Sequence, residues 1–297
     1  MAHKFTVWQA LIHAFLIISS IAFFIFPLWM VISISFTGEE AILLQGFQVY
    51  PTEFSTVAYS FIFSNFRQIA YAYAVTSFQA FLGTFLQVFI ASLCAFSLSR
   101  EYFKYKKFVT WFLFITMIFS GGLVPSYILI TQYLHLANSI WVYIVPSLVS
   151  VWFIIVMRTF FQGIPISLSE SAKIDGASEF RIYLQIILPL SKPVLATVSV
   201  LILLDRWNTW FTTFLYIRNP DLFTLQYLLQ RIMLDAQAAQ SMIDNVPPWL
   251  AGQYDFRMPV ESLRYAMAVV AAGPMLFAFP FFQKYFSRGL IVGAVKG

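Results

Sequence analysis

The sequence predicts an all-α membrane protein with six transmembrane helices. Three observations carry that prediction: the composition, the spacing of charge-free stretches, and the side on which Lys and Arg collect. Of the 297 residues, 60% are hydrophobic and only 10% are charged, against about 45–50% and about 25% in soluble domains. With 34 Phe, 15 Tyr and 8 Trp, the chain has too few polar side chains to coat a surface facing water, and intrinsic disorder is excluded by the same composition. The lone Cys94 has no intrachain disulfide partner and leaves the redox compartment unread. A net charge of +5, scattered along the chain, argues against nucleic acid as a partner.

A bilayer core of about 30 Å needs roughly 20 apolar residues in a helix. Phe5 to Gly38 contains no Asp, Glu, Lys or Arg and predicts a first span at 8–36. This run is too long for a signal peptide and ends in Ser33-Ile34-Ser35-Phe36 without an Ala-x-Ala-like cleavage site, so an uncleaved helix is expected. Gln68 to Ser99 predicts the second span, at 72–99. Phe108 to Met157 is too long for one crossing and is divided where Gln132, His135 and Asn138 cluster, giving spans at 108–130 and 140–161. A fifth, at 193–217, is interrupted by Asp205 and Arg206, and Tyr265 to Gln283 predicts the sixth, at 263–286. The whole of 1–297 then forms a single transmembrane domain, with external segments at 37–71 and 218–262 and a cytoplasmic loop at 162–192.

Six crossings place both termini on one side. That side would carry twelve of the 18 Lys and Arg, namely Lys4, Arg100, Lys104, Lys106, Lys107, Arg158, Lys173, Arg181, Lys192, Lys284, Arg288 and Lys296. The other would carry Arg67, Arg218, Arg231, Arg257 and Arg264. The positive-inside rule makes the richer side cytoplasmic. Within the second external segment Leu225, Leu228, Leu229 and Ile232 fall on one helical face. An amphipathic helix is expected there, resting on the membrane, meeting a partner, or packing over the span ends.

Several chemistries are missing. No Gly-x-x-x-x-Gly-Lys-Ser/Thr loop is present to cradle nucleotide phosphates. His3, His13 and His135 are isolated, so metal-ligand spacing is absent. No Gly-x-Ser-x-Gly elbow supplies a nucleophile. A non-catalytic chain without cofactor of its own is expected, with any ATP and Mg bound elsewhere.

The most informative stretch is the loop from Gly163 to Leu190. Ser167 followed three residues later by Glu170 reads as a capping box starting a helix from Leu168 to Asp175. Two turns are too short to stand alone in water, so the helix needs a partner surface. Gly176 suits a left-handed cap that ends it, after which a second short helix, Ser178 to Ile187, runs toward Pro189. Pro193, with Ser191 ahead of it, fits the first turn of the fifth span.

Glu170, Ala172, Gly176 six positions after the Glu, and Ile186-x-Leu188-Pro189 resemble the Glu-Ala-Ala, Gly, Ile-x-Leu-Pro signature of membrane subunits of bacterial ABC importers. Ser171 departs from the usual Ala but is nearly as small. Ile174-Asp175-Gly176-Ala177-Ser178, Trp207-Asn208, Gly121-Gly122-Leu123-Val124-Pro125, Gln283-Lys284-Tyr285-Phe286 and Gly293-Ala294-Val295-Lys296-Gly297 are similar to the smaller permease of oligosaccharide uptake systems. The resemblance covers nearly the whole chain and extends to the subgroup importing polysaccharide fragments such as alginate or rhamnogalacturonan oligosaccharides.

It implies a type I ABC importer transmembrane domain with a cytoplasmic coupling helix, in which Glu170, Ser171, Ala172, Asp175 and Gly176 couple to the ATPase. It also implies a bacterial cytoplasmic membrane location, a second homologous permease, two ATPase subunits holding ATP and Mg, and a solute-binding protein outside. The expected function is to form half of the pathway for an oligosaccharide, acidic fragments included. The alternatives are another solute of the same transporter type and an ion-coupled secondary carrier. The latter is disfavoured because only one span carries central charges.

Those central charges are the candidate pathway residues. Asp205 and Arg206 lie about twelve residues beyond Pro193, near mid-bilayer, where each costs at least about 2.5–3.5 kcal/mol if it meets lipid. On a continuous helix Asp205, Asn208 and Thr212 share one face and Arg206, Trp210 and Thr213 another. One expectation is a sugar-facing patch of Asp205, Arg206, Trp207, Asn208 and Trp210; the other is an interhelical salt bridge that holds the two permeases together. Trp207 reads better as packing than as a sugar platform.

Overall fold

The computed structural model describes residues 7–245 and 258–276, which are almost wholly helical. Two compact units share the chain: the first takes Met1–Ile69 and Leu228–Pro274, the second Ala70–Tyr227 and Met275–Gly297. The segments Gln283-Lys284-Tyr285-Phe286 and Gly293 to Gly297, the cations Lys4, Arg257, Lys284, Arg288 and Lys296, and the end of the sixth expected span lie outside the described residues.

In the first unit α1 (Val7–Ser20) and α2 (Phe26–Ser35) are joined through a π turn at Ile21–Ile25. They form one continuous apolar helix over Leu11–Ser35, long enough to cross a bilayer. Pro27 lies just past the π turn, inside the continuous helix, where it cannot donate the backbone bond that a helix interior makes. The side chains from Phe15 to Leu28 stay largely exposed, which suits a helix solvated by lipid. Short helices α3 (Glu39–Gln45) and α4 (Val57–Ile62) follow. Later in the chain the unit receives most of α14 (Leu225–Asp244) and a last helix, α15, over 260–276. Glu39 caps that last helix: its Oε1 accepts from the Glu261 amide at 2.8 Å and its Oε2 from the Ser262 amide at 2.9 Å. An anionic oxygen on free N–H groups at a helix start satisfies donors the helix cannot.

The second unit is built along α5 (Phe66–Ser99), whose run with α4 is the second helix apolar and long enough to span. It starts six residues before the expected 72. Three bent pairs pass the same test when taken together. The first is α6 (Lys106–Ile118) with α7 (Leu123–Ile128) and its π continuation to Tyr133, bent by 110°. Gly122 at the bend has φ +85, a left-handed conformation that a side chain would strain. The second joins the 3-10 turns at Ile140–Tyr143 and Val145–Ser147 to α8 (Val151–Gln162), bent by 50°. After α9 (Ile166–Ile174), the third pairs the helical run from α10 (Glu179–Ile182) to α11 (Leu188–Leu190) with α12 (Lys192–Trp207), bent by 80°. Beyond α12 lies α13 (Phe211–Tyr216).

Three expectations of continuous helix therefore need correction. The stretch 108–130 breaks at Gly121-Gly122, 140–161 breaks between Ser147 and Val151, and 193–217 breaks at Asn208 to Trp210. The polar cluster of Gln132, His135 and Asn138 does mark a turn: His135 and Asn138 adopt positive φ, and Asn138 Oδ1 accepts from the Arg218 and Asn219 amides. The apolar face expected from Leu225 is real and turned inward, with Leu225, Leu228 and Leu229 buried. Packing accounts for it. The core of the second unit gathers Ala91, Ala95, Ile154, Met157, Tyr183 and Val198 from α5, α8, the π turn after α10, and α12.

Candidate functional site

Two places in the second unit carry the residues singled out by the sequence. The first is α9 and its flanks. No side-chain bond caps the start of α9, and Pro165 occupies the N-cap, so the expected Ser167–Glu170 capping box does not form. Pro165 has no N–H to satisfy and its fixed φ already suits the helix entry. The end is as expected. Gly176 has φ +78, the Ala177 amide donates to the Ala172 carbonyl at 2.9 Å, and the Gly176 amide to the Lys173 carbonyl at 3.0 Å. That pair of bonds is a Schellman cap, closed by a residue without a Cβ.

The helix has two faces. Ser167, Glu170, Ser171 and Ile174 follow the i, i+3, i+4, i+7 pattern and are exposed, Ile174 at 87%; Asp175 and Gly176 are exposed as well. Ser169 is buried and Ala172 half-buried on the opposite face. Ala172 packs against the core, and Ser169 Oγ accepts from Arg100 Nη1 at 3.1 Å.

Arg100, just past the end of α5, also lies 3.9 Å from Glu179, and Lys173 Nζ is 2.7 Å from the other Glu179 oxygen. The Lys173 ammonium sits 3.9 Å above the Tyr102 ring. Partial burial alone would raise the Glu179 pKa, but the Lys173 and Tyr102 hydrogen bonds and the two cations hold it below the usual carboxylate range. The Glu179 hydrogen bond moves Lys173 upward, while burial raises Tyr102. The approach of Arg100 to Glu179 was not legible in the sequence, because the two are far apart along it. Behind α9 a hollow of 490 Å³ is bounded by Arg100, Tyr102, Gln162, Ser169 and Lys173.

The second place is the break in the fifth expected span. The α12 helix stops at Trp207 and leaves carbonyls without intrahelical partners. Gln79 Nε2 donates to the Arg206 carbonyl at 2.7 Å, and beyond the helix Thr224 Oγ1 donates to the Thr209 carbonyl at 2.8 Å. Asn208 turns back, its Nδ2 donating to the Leu204 carbonyl at 2.9 Å.

Arg206 is 3% exposed. Its Nη1 donates to the Tyr143 carbonyl at 3.0 Å, and its Nη2 to Gln87 Oε1 at 2.8 Å and the Ser147 carbonyl at 3.5 Å. The guanidinium lies against Gly83, where an added Cβ would stand 2.3 Å from Nη1. Neither Asp205 nor Arg206 makes a salt bridge within this chain among the described residues. Carbonyl and amide oxygens take its place.

The other candidates separate. Trp207 is buried, whereas Asp205, Asn208 and Trp210 are exposed. The expected grouping of Trp210 with Arg206 and Thr213 fails because the helix does not continue past Trp207. Asp205, Arg206, Thr209, Thr212, Phe211 and Tyr216 border a hollow of 310 Å³, and Tyr216 stacks on Tyr127 at 5.6 Å. Tyr143 and Thr224, which hydrogen-bond with Thr213 behind it, were not anticipated.

With the helical architecture and a broken helix at a buried cation in view, comparison with known proteins decides the family. Residues 87–292 match the family of binding-protein-dependent transport system inner membrane components. The chain belongs to that family. It is 34% identical to the polygalacturonan/rhamnogalacturonan transport system permease protein YtcP of Bacillus subtilis, over 99% of this chain and 100% of that one. With protein LplC of the same organism it shares 32%, over 92% and 90%. A solved bacterial ABC transporter, involved in the import of the acidic polysaccharide alginate, has the same fold: TM-score 0.76 at 24% identity, over 96% of this chain and 99% of that one. This chain is thus a membrane-embedded, non-catalytic permease of the ABC type.

Proposed function

We propose that this permease forms half of the translocation pathway of an ATP-driven importer for fragments of acidic polysaccharides. A second permease completes the pathway, two ATPase subunits bind ATP and Mg on the cytoplasmic side, and a solute-binding protein delivers the oligosaccharide from outside. In this reading six spans cross the bacterial cytoplasmic membrane with both termini inside. The names of its relatives support the substrate class.

The outward face of α9 supports the coupling role most directly. Ser167, Glu170, Ser171 and Ile174 are exposed together, and a helix of two turns presenting an apolar knob needs a receiving surface. That surface is a groove on an ATPase subunit. Gly176 sets the direction of the chain as it leaves the groove.

Asp205, Asn208 and Trp210 face the pathway, and Arg206 holds the break that exposes them. A second reading, import of neutral oligosaccharides, draws support from the Arg206 guanidinium, whose charge already faces three protein acceptors. The remaining wall offers hydroxyls and the Asp205 carboxylate, which suit sugar hydroxyls better than uronates.

The assembled complex in liposomes separates the two. Its solute-binding protein, loaded with oligogalacturonides or with maltodextrins, should stimulate ATP hydrolysis only with the uronate. Stimulation by the neutral sugar alone would replace the first reading with the second, and stimulation by neither would remove both.

A further inference from the structure

Four cations meet at one end of α6 and α8 in the second unit. Lys104, Lys106, Lys107 and Arg158 border a hollow of 430 Å³ together with Thr110 and Trp111. Glu101 contributes the one carboxylate among its described lining residues, and none of the four cations makes an ion pair among the described residues. Arg158 Nη1 donates to Thr110 Oγ1 at 3.3 Å, while its Nε is buried without any partner. Thr110 is turned toward this bond because its hydroxyl also donates to the Lys106 carbonyl at 2.7 Å. Like charges held this close repel each other, and the repulsion grows at the edge of a low-dielectric phase.

Directly beyond the cations, Phe108, Trp111, Phe112 and Ile115 stand at i, i+3, i+4, i+7 along α6, and all four are exposed. An unpaired cationic hollow therefore opens onto a continuous apolar stripe. Such an order, charge first and hydrocarbon after, is the order of the atoms in a phospholipid.

We propose that this hollow holds the phosphodiester headgroup of an anionic membrane phospholipid, with its acyl chains lying along the α6 stripe. The inference rests on the membrane reading of α6 but on no particular transported solute. The phosphate sits among Lys106, Lys107 and Arg158, and Arg158 Nε gains an acceptor. Lys104 closes the hollow on the water side, where its long stem lets the ammonium reach the headgroup.

The test uses the assembled, delipidated transporter complex. Retention of added dioleoyl-phosphatidylglycerol is read by native mass spectrometry, with dioleoyl-phosphatidylcholine as the control lipid. The intact complex should retain the anionic lipid and not the zwitterionic one. Lys106→Gln with Lys107→Gln should weaken retention about 25-fold, from about fivefold per cation removed. The pair Lys106→Arg and Lys107→Arg, which preserves charge, should retain it, and Lys104→Gln alone should weaken it about fivefold.

Equal retention by the intact and neutralised complexes, or equal retention of the two lipids, would overturn the proposal. Displacement of the lipid by millimolar inorganic phosphate would overturn it too, by showing a site for a free anion. Because lipid retention is measured without substrate, a wrong assignment of the transported sugar would leave this result untouched.

Discussion

The α9 segment and the break after α12 belong to the same unit, yet they are held by opposite means. The α9 helix is shaped by neighbours in sequence: its cap is made by Ala172, Lys173, Gly176 and Ala177, all within six residues, and its outer face is left bare. The break is shaped by strangers. Gln87 lies 119 residues from Arg206 and Tyr143 lies 63 away, and the Asn208 side chain on the Leu204 carbonyl is the local part of the stop at Trp207. If α9 docks on another protein, as proposed, it can be shaped locally, because the partner supplies the surface it lacks. If the break lies inside hydrocarbon, it must find every partner within its own fold, since lipid offers none.

The sharpest way to break this comparison is to remove the guanidinium while keeping bulk. Arg206→Leu strands Gln87 Oε1 and the Ser147 carbonyl and leaves the Tyr143 carbonyl with Ser147 Oγ alone, and should cost the complex about 3 kcal/mol. The measurement is thermal unfolding of the detergent-solubilised assembly. A variant that melts like the parent would show that the break stands without its pin.

Gly83→Ala approaches the same contact from the other side. A Cβ at 2.3 Å from Arg206 Nη1 forces the guanidinium off its acceptors, with an expected loss of about 1–3 kcal/mol. If Arg206 also reads uronates, Arg206→Gln should lose their transport selectively; if it is a pin, uronate and neutral-sugar transport should fall together, and poor assembly should accompany the loss.

For α9 the expected stability change is smaller and the functional one larger. Gly176→Val places a β-branched residue at φ +78, costing about 1–2 kcal/mol, while assembly persists. Substrate-stimulated ATP hydrolysis should drop to the basal rate as the solute-binding protein keeps its affinity. Undiminished stimulation would remove α9 from the coupling role.

Smallest of all is the clamp behind α9. Glu179→Gln should cost about 0.5 kcal/mol, since Glu179 and Lys173 are both more than a third exposed. Because the folded state holds the Glu179 pKa down, the contribution of the clamp is present above the normal carboxylate range and fades as pH falls through the lowered value. Acid titration of the unfolding temperature, parent against variant, should show the two curves converging only at the acid end.

The charge-free stretches, the turn at Gln132 to Asn138 and the glycine that ends α9 were all legible in the sequence. Each rests on a property of consecutive residues: the length of an apolar run, a polar cluster inside one, or the φ that only glycine adopts freely. The Ser167–Glu170 pattern misled for a related reason, because Pro165 had already claimed the helix start. What lay beyond reach were the pairings: Glu39 capping a helix 222 residues later, Arg100 closing on Glu179, and Arg206 laid against Gly83. A sequence states which groups are costly to bury, and only the packed chain decides which distant donors and acceptors offset that cost, because hydrogen bonds depend on proximity in space and not along the backbone.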